Sequence, residues 1–552
     1  MKHSSDKKVS SFVIFIRLSK LFKPHWRFIA LGIFLSIVTV LSSVSLLALS
    51  GWFLASMAVA GVAKTSMNYF TPSAGIRMLA LTRAFGRYAE RLVNHYATLE
   101  ILADLRYWFY GKIEPLAPAV LQKYHSGDIF SRIKADIDTL ENLYVRIVVP
   151  TITALITGSL FVYFISLYDK KLAIIEAFGL LLAGFIIPII LLALSYRTGK
   201  ETIRVMAKLR EYSVDSIQGL GELMIYGATK KQAKKIKELS INLSKMQHKM
   251  SIYNAFAQAS LMAIVGVCVV LVMIVAVPLI RDAQMPAVNV AMLALFVMAS
   301  FEAVVGMSQV FGLLPETIAA GRRVFEIVDS KPLVVEPKSP SNKIDNFDIV
   351  FDKVYFSYDD AELLKNLSFR LNEGENISII GRSGIGKSTI VNLISRFYTH
   401  DKGEITIGGL PIQSLQSENL REYISVASQQ NQIFNKTIRD NLLIAKPDAS
   451  QEELDEVCKV AYIYDFIKTL PDGFDTWMDE LGYNFSGGQK RRLVVARALL
   501  KPAKILILDE PGEGLDRETE KKMLRAVFEH KKSTSIVVIS HTKIEGIEQL
   551  LL

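Results

Sequence analysis

The sequence predicts an α-helical transmembrane domain of six spans, followed by an α/β domain built around a phosphate-binding loop. Three observations predict it. Apolar runs of membrane-spanning length are confined to the first 314 residues, the basic residues between them are segregated, and a glycine loop between a strand-like and a helix-like pattern lies beyond residue 349. In this chain of 552 residues, 51% hydrophobic and 21% charged side chains exclude a disordered or fibrous protein. A formal net charge of +10 suits nucleic acid, an anionic membrane surface or a membrane protein with basic inner loops, so the distribution of charge has to decide. Cys268 and Cys458 lie far apart, which leaves neither a disulfide framework nor a zinc spacing.

Residues 1–27 place basic residues ahead of an apolar stretch but show no short apolar region ending in small residues, so a cleavable leader is not expected. Within them, VSSFVIFIRLSKLFKP (9–24) carries apolar residues at helical spacing, with Arg17, Lys20 and Lys23 among them. This predicts an N-terminal interfacial helix lying along the bilayer; the plainer reading is an amphipathic helix on a soluble core. A hydrocarbon layer of roughly 30 Å needs about 20 helical residues. The run 28–49 meets that length, and comparable runs follow at 147–167, 172–195, 255–280 and 287–313. A weaker, charged candidate begins near Tyr69 and brings the count to six.

With the N-terminus inside, the inner segments (1–27, 101–146 and 196–253) carry 25 Lys and Arg, and the outer loops (61–70, 168–171 and 281–286) carry four: Lys64, Lys170, Lys171 and Arg281. That asymmetry places the N-terminus and the C-terminal domain in the cytoplasm and explains the basic balance without nucleic acid. The segments 101–146 and 196–253 are rich in helix formers and are expected as cytosolic continuations of the spans. The membrane domain is therefore placed at 28–314. Hydropathy falls after Leu314, and 329–347 holds three prolines among polar residues, so 315–348 is expected as a linker into a soluble domain at 349–552.

In that domain, NISIIGRSGIGKSTIVNLI (376–394) reads as strand, loop and helix. Gly381, Gly386, Lys387 and Ser388 fit G-x-x-x-x-G-K-[ST], and the loop runs through Arg382, Ser383, Gly384 and Ile385 to Thr389. Glycines let backbone N–H groups curl around phosphate oxygens, and the helix N-terminus adds positive potential. Lys387 is expected on the β- and γ-phosphates of ATP, and the Ser388 hydroxyl on Mg²⁺. KILILDE (504–510) reads as a buried strand emptying two carboxylates into the site, Asp509 for the Mg²⁺ shell and Glu510 to polarise the attacking water. Between these motifs, Ser486, Gly487, Gly488 and Gln489 precede a helical run and form a second anion cradle.

Loop, acidic strand and second cradle together resemble the ATP-binding cassette (ABC) family, whose signature is Leu-Ser-Gly-Gly-Gln; here Phe485 replaces the leucine. The resemblance implies an exporter-type architecture and further roles. Tyr358 in VYFSYDD matches the aromatic that stacks on adenine, and Gln429 in ISVASQQNQIF the glutamine that senses Mg²⁺ and γ-phosphate, with Gln430 its neighbour. Asp516 in EPGEGLD matches the aspartate at the dimer seam, and His541 in VVISHTK the histidine on γ-phosphate. It also implies that the signature of one cassette closes over the glycine loop of another, so the working unit needs two cassettes and this chain supplies one. The family usually continues further beyond its histidine than the 11 residues from His541 to Leu552, which puts the sheet edge rather than the chemistry in question.

The weak span GIRMLALTRAFGRYAERLVNHYATLE (75–100) repeats Arg83, Arg87, Arg91 and His95 every four residues, a slowly drifting stripe on a helix. Charge at mid-bilayer costs about 2.5–3.5 kcal/mol, so the stripe should avoid lipid. It reads either as an electropositive cavity wall for an anionic cargo, with His95 a metal or haem ligand, or as a helix entering the cytosol with its cations snorkelling or paired, Glu90 being one partner. The runs 46–61, 82–98 and 131–146 and the order of motifs resemble CydC-type subunits of the heterodimeric CydDC exporters, although Gly512 departs from the threonine of their Glu-Pro-Thr-Glu-Gly-Leu-Asp. The resemblance implies a CydD-type partner, the bacterial inner membrane, support of cytochrome bd assembly, and glutathione, cysteine or haem as cargo, with His95 and Arg91 at the haem positions. The competing readings are a homodimeric exporter of lipid, peptide or drug, and an ATP-gated regulator or channel that does not pump.

Overall fold

The computed structural model describes residues 10–123, 129, 132–338, 343–358, 361–382, 384–429, 432–478, 485–544 and 546–552. The chain divides into two compact units, Met1–Glu114 with Tyr124–Asp329, and Pro115–Lys123 with Ser330–Leu552.

The first unit is helical. A short helix α1 (Ser11–Leu21) precedes six long ones: α2 (Lys23–Ala63), α3 (Phe70–Ile113), α4 (Arg132–Ser166), α5 (Lys170–Gln218), α6 (Thr229–Arg281) and α7 (Asn289–Val328). Five of the six, all but α3, are long and apolar enough to cross a membrane. At 44 residues α3 has the length, but Arg83, Arg87, Glu90 and Arg91 lower its apolarity. The helices outrun the apolar segments read from the sequence: α6 has 53 residues, about 80 Å of helix against a hydrocarbon layer of roughly 30 Å. Of the two expected continuations, 196–253 is helical with a break at Gly219 and a short helix Leu220–Ile225 before α6, whereas 101–146 is helical up to Ile113 and again from Arg132, with only short turns between them among the described residues.

Helix α7 runs past Leu314 to Val328, into the stretch expected as linker. Hydropathy falls there because one face turns polar, not because the helix ends: Val310, Thr317, Ala320, Val324 and Ile327 stay buried at helical spacing. Helix α1 lies on this segment. Its Ile14 and Leu18 are buried against Gly321, where a Cβ would meet Leu18 Cδ1 at 2.9 Å. Arg17 donates to both Asp329 oxygens at 2.6 and 2.7 Å, and its guanidinium lies 3.9 Å from the Phe325 ring centroid. Phe12 stays 70% exposed on the opposite face, so the helix both packs on its neighbour and keeps an apolar side outward.

The second unit is α/β. An antiparallel sheet has the order β2-β1-β4-β5, from β1 (Ile349–Tyr358), β2 (Ala361–Leu371), β4 (Lys402–Ile407) and β5 (Leu410–Pro411). A parallel sheet has the order β11-β3-β10-β9-β6, from β3 (Asn376–Ile380), β6 (Ile424–Ala427), β9 (Ile505–Asp509), β10 (Ser535–Ser540) and β11 (Glu548–Leu551). A small ribbon pairs β7 (Lys436–Thr437) with β8 (Trp477–Met478). The helices used below are α8 (Lys387–Ile394), α9 (Ile438–Leu443), α10 (Gln451–Val460), α11 (Gly487–Leu500) and α12 (Arg517–His530).

Strands β9 and β10 are buried throughout and apolar except at their ends, because both faces are covered. Ile505, Ile507, Val537 and Ile539 pack with Phe351 and Ile405 of the antiparallel sheet, while Leu506, Leu508, Ile536 and Val538 pack with residues of α9, α10 and α11. Cys458 sits in this second core, where burial pushes its thiol up to about 12 and makes it a packing residue. The edge strand β11 pairs with β3 from Glu548↔Ile377 to Leu551↔Ile380, so residues up to Leu551 cover the edge that sequence reasoning left open.

Candidate nucleotide and cargo sites

Strands β3, β10 and β9 are neighbours, and their carboxyl ends deliver the glycine loop, Ser540–His541 and Asp509–Glu510 to one place. Ligand sites of open α/β sheets lie at such carboxyl ends. The loop after β3 turns through Gly384 (φ 83°) and Gly386 (φ 112°) into α8. Gly386 needs its missing side chain twice over, because the backbone is left-handed and a Cβ would sit 2.7 Å from Leu364 Cδ2.

Lys387 is 6% exposed, and its three donors are all engaged. The ammonium donates to the carbonyls of Gly381 at 2.7 Å and Arg382 at 3.4 Å, and to His541 Nδ1 at 3.2 Å. A lysine only donates, so Nδ1 accepts and the ring proton sits on Nε2. That Nε2–H then donates to Glu510 Oε1 at 2.7 Å, while Gln429 Nε2 donates to Glu510 Oε2 at 2.9 Å. Glu510 adopts a left-handed φ of 54°, uncommon for a non-glycine, and is anchored by its N–H on the Ile539 carbonyl at 2.9 Å.

The Ser388 hydroxyl donates to Asp509 Oδ2 at 2.9 Å, and Asp509 Oδ1 is buried with no partner among the described residues. Burial pushes the Asp509 carboxyl above the ordinary aspartate range, a shift that Ser388 opposes and Glu510 reinforces. A hydroxyl, a carboxylate and an unsatisfied buried oxygen make the hard-oxygen donor set that Mg²⁺ takes, so the residues fit that ion. Tyr358, at the end of β1, receives hydrogen bonds on its hydroxyl from Asn392 at 3.2 Å and Thr389 at 3.4 Å, which ties the aromatic to α8.

The structure thus brings these residues together at one end of the sheet in three hydrogen-bonded groups: Lys387, His541, Glu510 and Gln429; Ser388 and Asp509; Tyr358, Thr389 and Asn392. Ser383 and Gln430 lie outside the described residues. Ser486–Gln489 and Asp516 are built elsewhere. Ser486 caps α11, its hydroxyl accepting from Gln489 N at 3.2 Å while Gln489 Oε1 accepts from Ser486 N at 2.8 Å. Asp516 caps α12, accepting from Glu518 N at 3.1 Å and Thr519 N at 2.9 Å; the Thr519 side chain first, and then these N–H groups, hold its carboxyl below the usual range. The two caps meet backbone to backbone, since a Cβ on Gly488 would lie 2.7 Å from the Gly514 carbonyl.

Sequence reasoning missed Arg491. Its guanidinium is 6% exposed and donates to Ser428 O at 2.7 Å, Gln429 O at 3.3 Å and Glu513 at 2.9 Å. One buried cation therefore links the signature helix to the Gln429 segment and to the loop before Asp516. The only signal was a run of basic residues, which does not say which one turns inward.

In the helical unit, Arg87, Glu90, Arg91, Asn94, His95 and Thr98 line an open cleft of about 290 Å³, so the predicted stripe does share one face. Arg83 lies one turn before Arg87, outside this lining. Glu90 accepts from Ser36 at 2.8 Å. Arg87 pairs with Glu302 at 3.2 Å, a carboxylate that the sequence reading passed over although it interrupts an apolar run.

Helical spans and this cassette in one chain define half of an ATP-driven transporter, a multi-pass membrane ATPase of the ABC type. Residues 364–513 match the family described as ABC transporter, and residues 29–304 match the ABC transporter transmembrane region. The chain is 36% identical over 525 residues to the glutathione/L-cysteine transport system ATP-binding/permease protein CydC of Escherichia coli (strain K12), covering 94% of this chain and 91% of that one. It is 34% identical to the protein of the same description from Haemophilus influenzae, covering 97% and 93%. The fold is that of a bacterial Atm1-family ABC exporter solved with ATP bound, with a TM-score of 0.82 at 21% identity over 95% of this chain and 93% of that one. The chain belongs to the CydC family of ABC ATP-binding/permease proteins.

Proposed function

We propose that this chain is one half of a heterodimeric inner-membrane exporter that couples ATP hydrolysis to movement of a low-molecular-weight thiol, glutathione or cysteine. One observation carries the reading: the Lys387, Asp509, Glu510 and His541 set sits on a chain that matches a glutathione/L-cysteine transport protein over 94% of its length. That match favours a thiol over lipid, peptide or drug. A complete set of groups for hydrolysis favours a pump over a gated channel.

In the mechanism, the loop 381–389 wraps the phosphates with backbone donors and Lys387 holds the β- and γ-oxygens. Ser388 and Asp509, with Gln429 nearby, would hold Mg²⁺, which would supply screening of the phosphate charge. Tyr358 stacks on the base, an interaction worth about 1–3 kcal/mol. Glu510, fixed from both sides by Gln429 and His541, orients the water that displaces ADP from the γ-phosphoryl group and takes its proton. Ser486–Gln489 and Asp516 serve the facing cassette of the partner subunit, and closure and reopening of the pair move the spans. Arg83, Arg87 and Arg91 give the cargo route a cationic wall.

A second cargo reading, haem, is favoured by one observation: His95 is exposed in the same cleft as Arg87 and Arg91, an imidazole beside two guanidiniums suited to propionates.

The test is reconstitution of this chain with its CydD-type partner in liposomes. ATPase stimulation and ATP-dependent uptake into inside-out vesicles are measured for glutathione, cysteine and haem. Uptake of a thiol supports the reading, with Arg83→Ala and Arg91→Ala lowering stimulated more than basal turnover. Uptake of haem alone, with its absorbance lost in His95→Ala, replaces it.

A further inference from the structure

The cationic stripe is not purely cationic. Glu302 lies in α7 at residues 301–303, where the regular helix gives way to a tighter turn between Asn289–Ser300 and Met307–Val328. Its neighbours Phe301, Ala303 and Val304 are buried, whereas its own side chain is 39% exposed. One carboxylate oxygen accepts from Ser43 at 2.5 Å and the other from Arg87 at 3.2 Å. Ser43 belongs to the apolar run 28–49 of α2, so this carboxylate stands at the depth of a membrane span. A charge there is expensive and marks a functional position by default. The partner cation does not absorb it fully, since Arg87 is itself 47% exposed and also lines the cleft with Arg91 and His95.

The wall therefore presents both signs. Between residues 83 and 91, α3 carries three guanidiniums (Arg87 and Arg91 in the cleft, Arg83 one turn before it) against two carboxylates, Glu90 on the same helix and Glu302 on α7, which leaves one net positive charge. A porphyrin dicarboxylate or a simple anion has no use for Glu302. A molecule with one ammonium and two carboxylates does, because it carries the complementary charges and a net negative charge of one.

Resting on the thiol-export reading above, we infer that the cargo is recognised as an amino-acid zwitterion, with Glu302 receiving the α-ammonium and the stripe arginines receiving carboxylate. The ammonium exchanges for one Arg87 N–H on Glu302, and the released guanidinium turns to a cargo carboxylate. Every charge stays paired during the exchange, which is what a site at this depth requires. Glu302 is thereby the specificity-determining residue for the ammonium, while the arginines alone do not separate a zwitterion from any other anion.

The experiment uses the transporter reconstituted with its partner half. ATPase stimulation is titrated with glutathione, with its deaminated analogue lacking only the α-ammonium, and with the isosteric tripeptide in which the thiol is replaced by methyl. Wild type should need roughly tenfold more of the deaminated analogue for half-maximal stimulation, the scale of one charge-assisted hydrogen bond. Glu302→Gln should bring the two curves together, and Glu302→Asp, which keeps the charge, should hold most of the preference. Equal response of wild type to both compounds overturns the inference without any variant. A preference that survives in Glu302→Gln also overturns it, makes Glu302 a structural partner of Ser43 and Arg87, and leaves the thiol reading standing. If the methyl analogue stimulates as well as glutathione with the same dependence on Glu302, the zwitterion site stands and the thiol reading falls. No stimulation by any of the three overturns both.

Discussion

His541 Nε2 stands 2.7 Å from Glu510 Oε1, and the opposite ring nitrogen is held by Lys387 at 3.2 Å. The phosphate-loop lysine thus sets the tautomer of the histidine, and the histidine sets the orientation of the carboxylate. Gln429 holds the other oxygen of that carboxylate at 2.9 Å, so Glu510 is fixed at once from the segments that follow β6 and β10.

Replacing Glu510 by Gln keeps the shape and both neighbours but removes the base. Steady-state ATP hydrolysis should fall by about 10²–10⁴-fold while ATP binding, read with a fluorescent nucleotide, persists. Turnover equal to wild type would remove Glu510 from the chemistry.

Arg491→Lys should not substitute for arginine. A lysine lacks the planar fork that now serves three acceptors, so it gives up hydrogen bonds to the Ser428 and Gln429 carbonyls or to Glu513, itself 57% exposed. The cassette should lose roughly 1–3 kcal/mol, seen in chemical unfolding, and hydrolysis should fall more than nucleotide affinity. Wild-type stability and turnover together would show that the link between the signature helix and Gln429 is dispensable.

Asp509 predicts a pH dependence. Burial holds its carboxyl above the ordinary aspartate range, and only the ionised form takes Mg²⁺. As pH falls, the Mg²⁺ needed for half-maximal nucleotide binding should rise at a higher pH than a solvated aspartate would give. The sign for stability is opposite without the ion. The folded state binds more protons than the unfolded state between the ordinary and the raised value, so stability falls as pH rises through that window. A Mg²⁺ requirement flat down to the ordinary aspartate range would contradict the shift.

Glu336 fastens the approach to the cassette. Its carboxylate accepts from buried Arg396 at 3.1 Å and from Ser417 N at 3.0 Å. Burial alone would raise the Glu336 carboxyl, but Ser417 and the Arg396 guanidinium outweigh it and hold it below the usual glutamate range. Glu336 is 53% exposed, so Glu336→Ala should cost only about 1 kcal/mol, a fall of roughly 2–4 °C in cassette unfolding temperature. The contribution is full above the ordinary glutamate value and is lost as pH falls through the depressed one, so the two proteins should converge in acid. An unchanged melting temperature at neutral pH would reduce the pair to a surface contact.

Sequence alone determined the order of the two domains, the helical spans and the identity of the nucleotide motifs. Those features are local. A span is a run of apolar residues at least as long as the bilayer is thick, and the glycine loop is a continuous segment whose residue types follow from backbone geometry. Tertiary structure decided which distant residues meet. The pairing of Glu510 with His541, the buried fork of Arg491 and the Glu302 carboxylate against Ser43 and Arg87 each join segments far apart in the chain. A stripe of arginines is legible as a periodicity on one helix. Its partial compensation by a carboxylate on another depends on which helices pack together, and no periodicity within either helix records that.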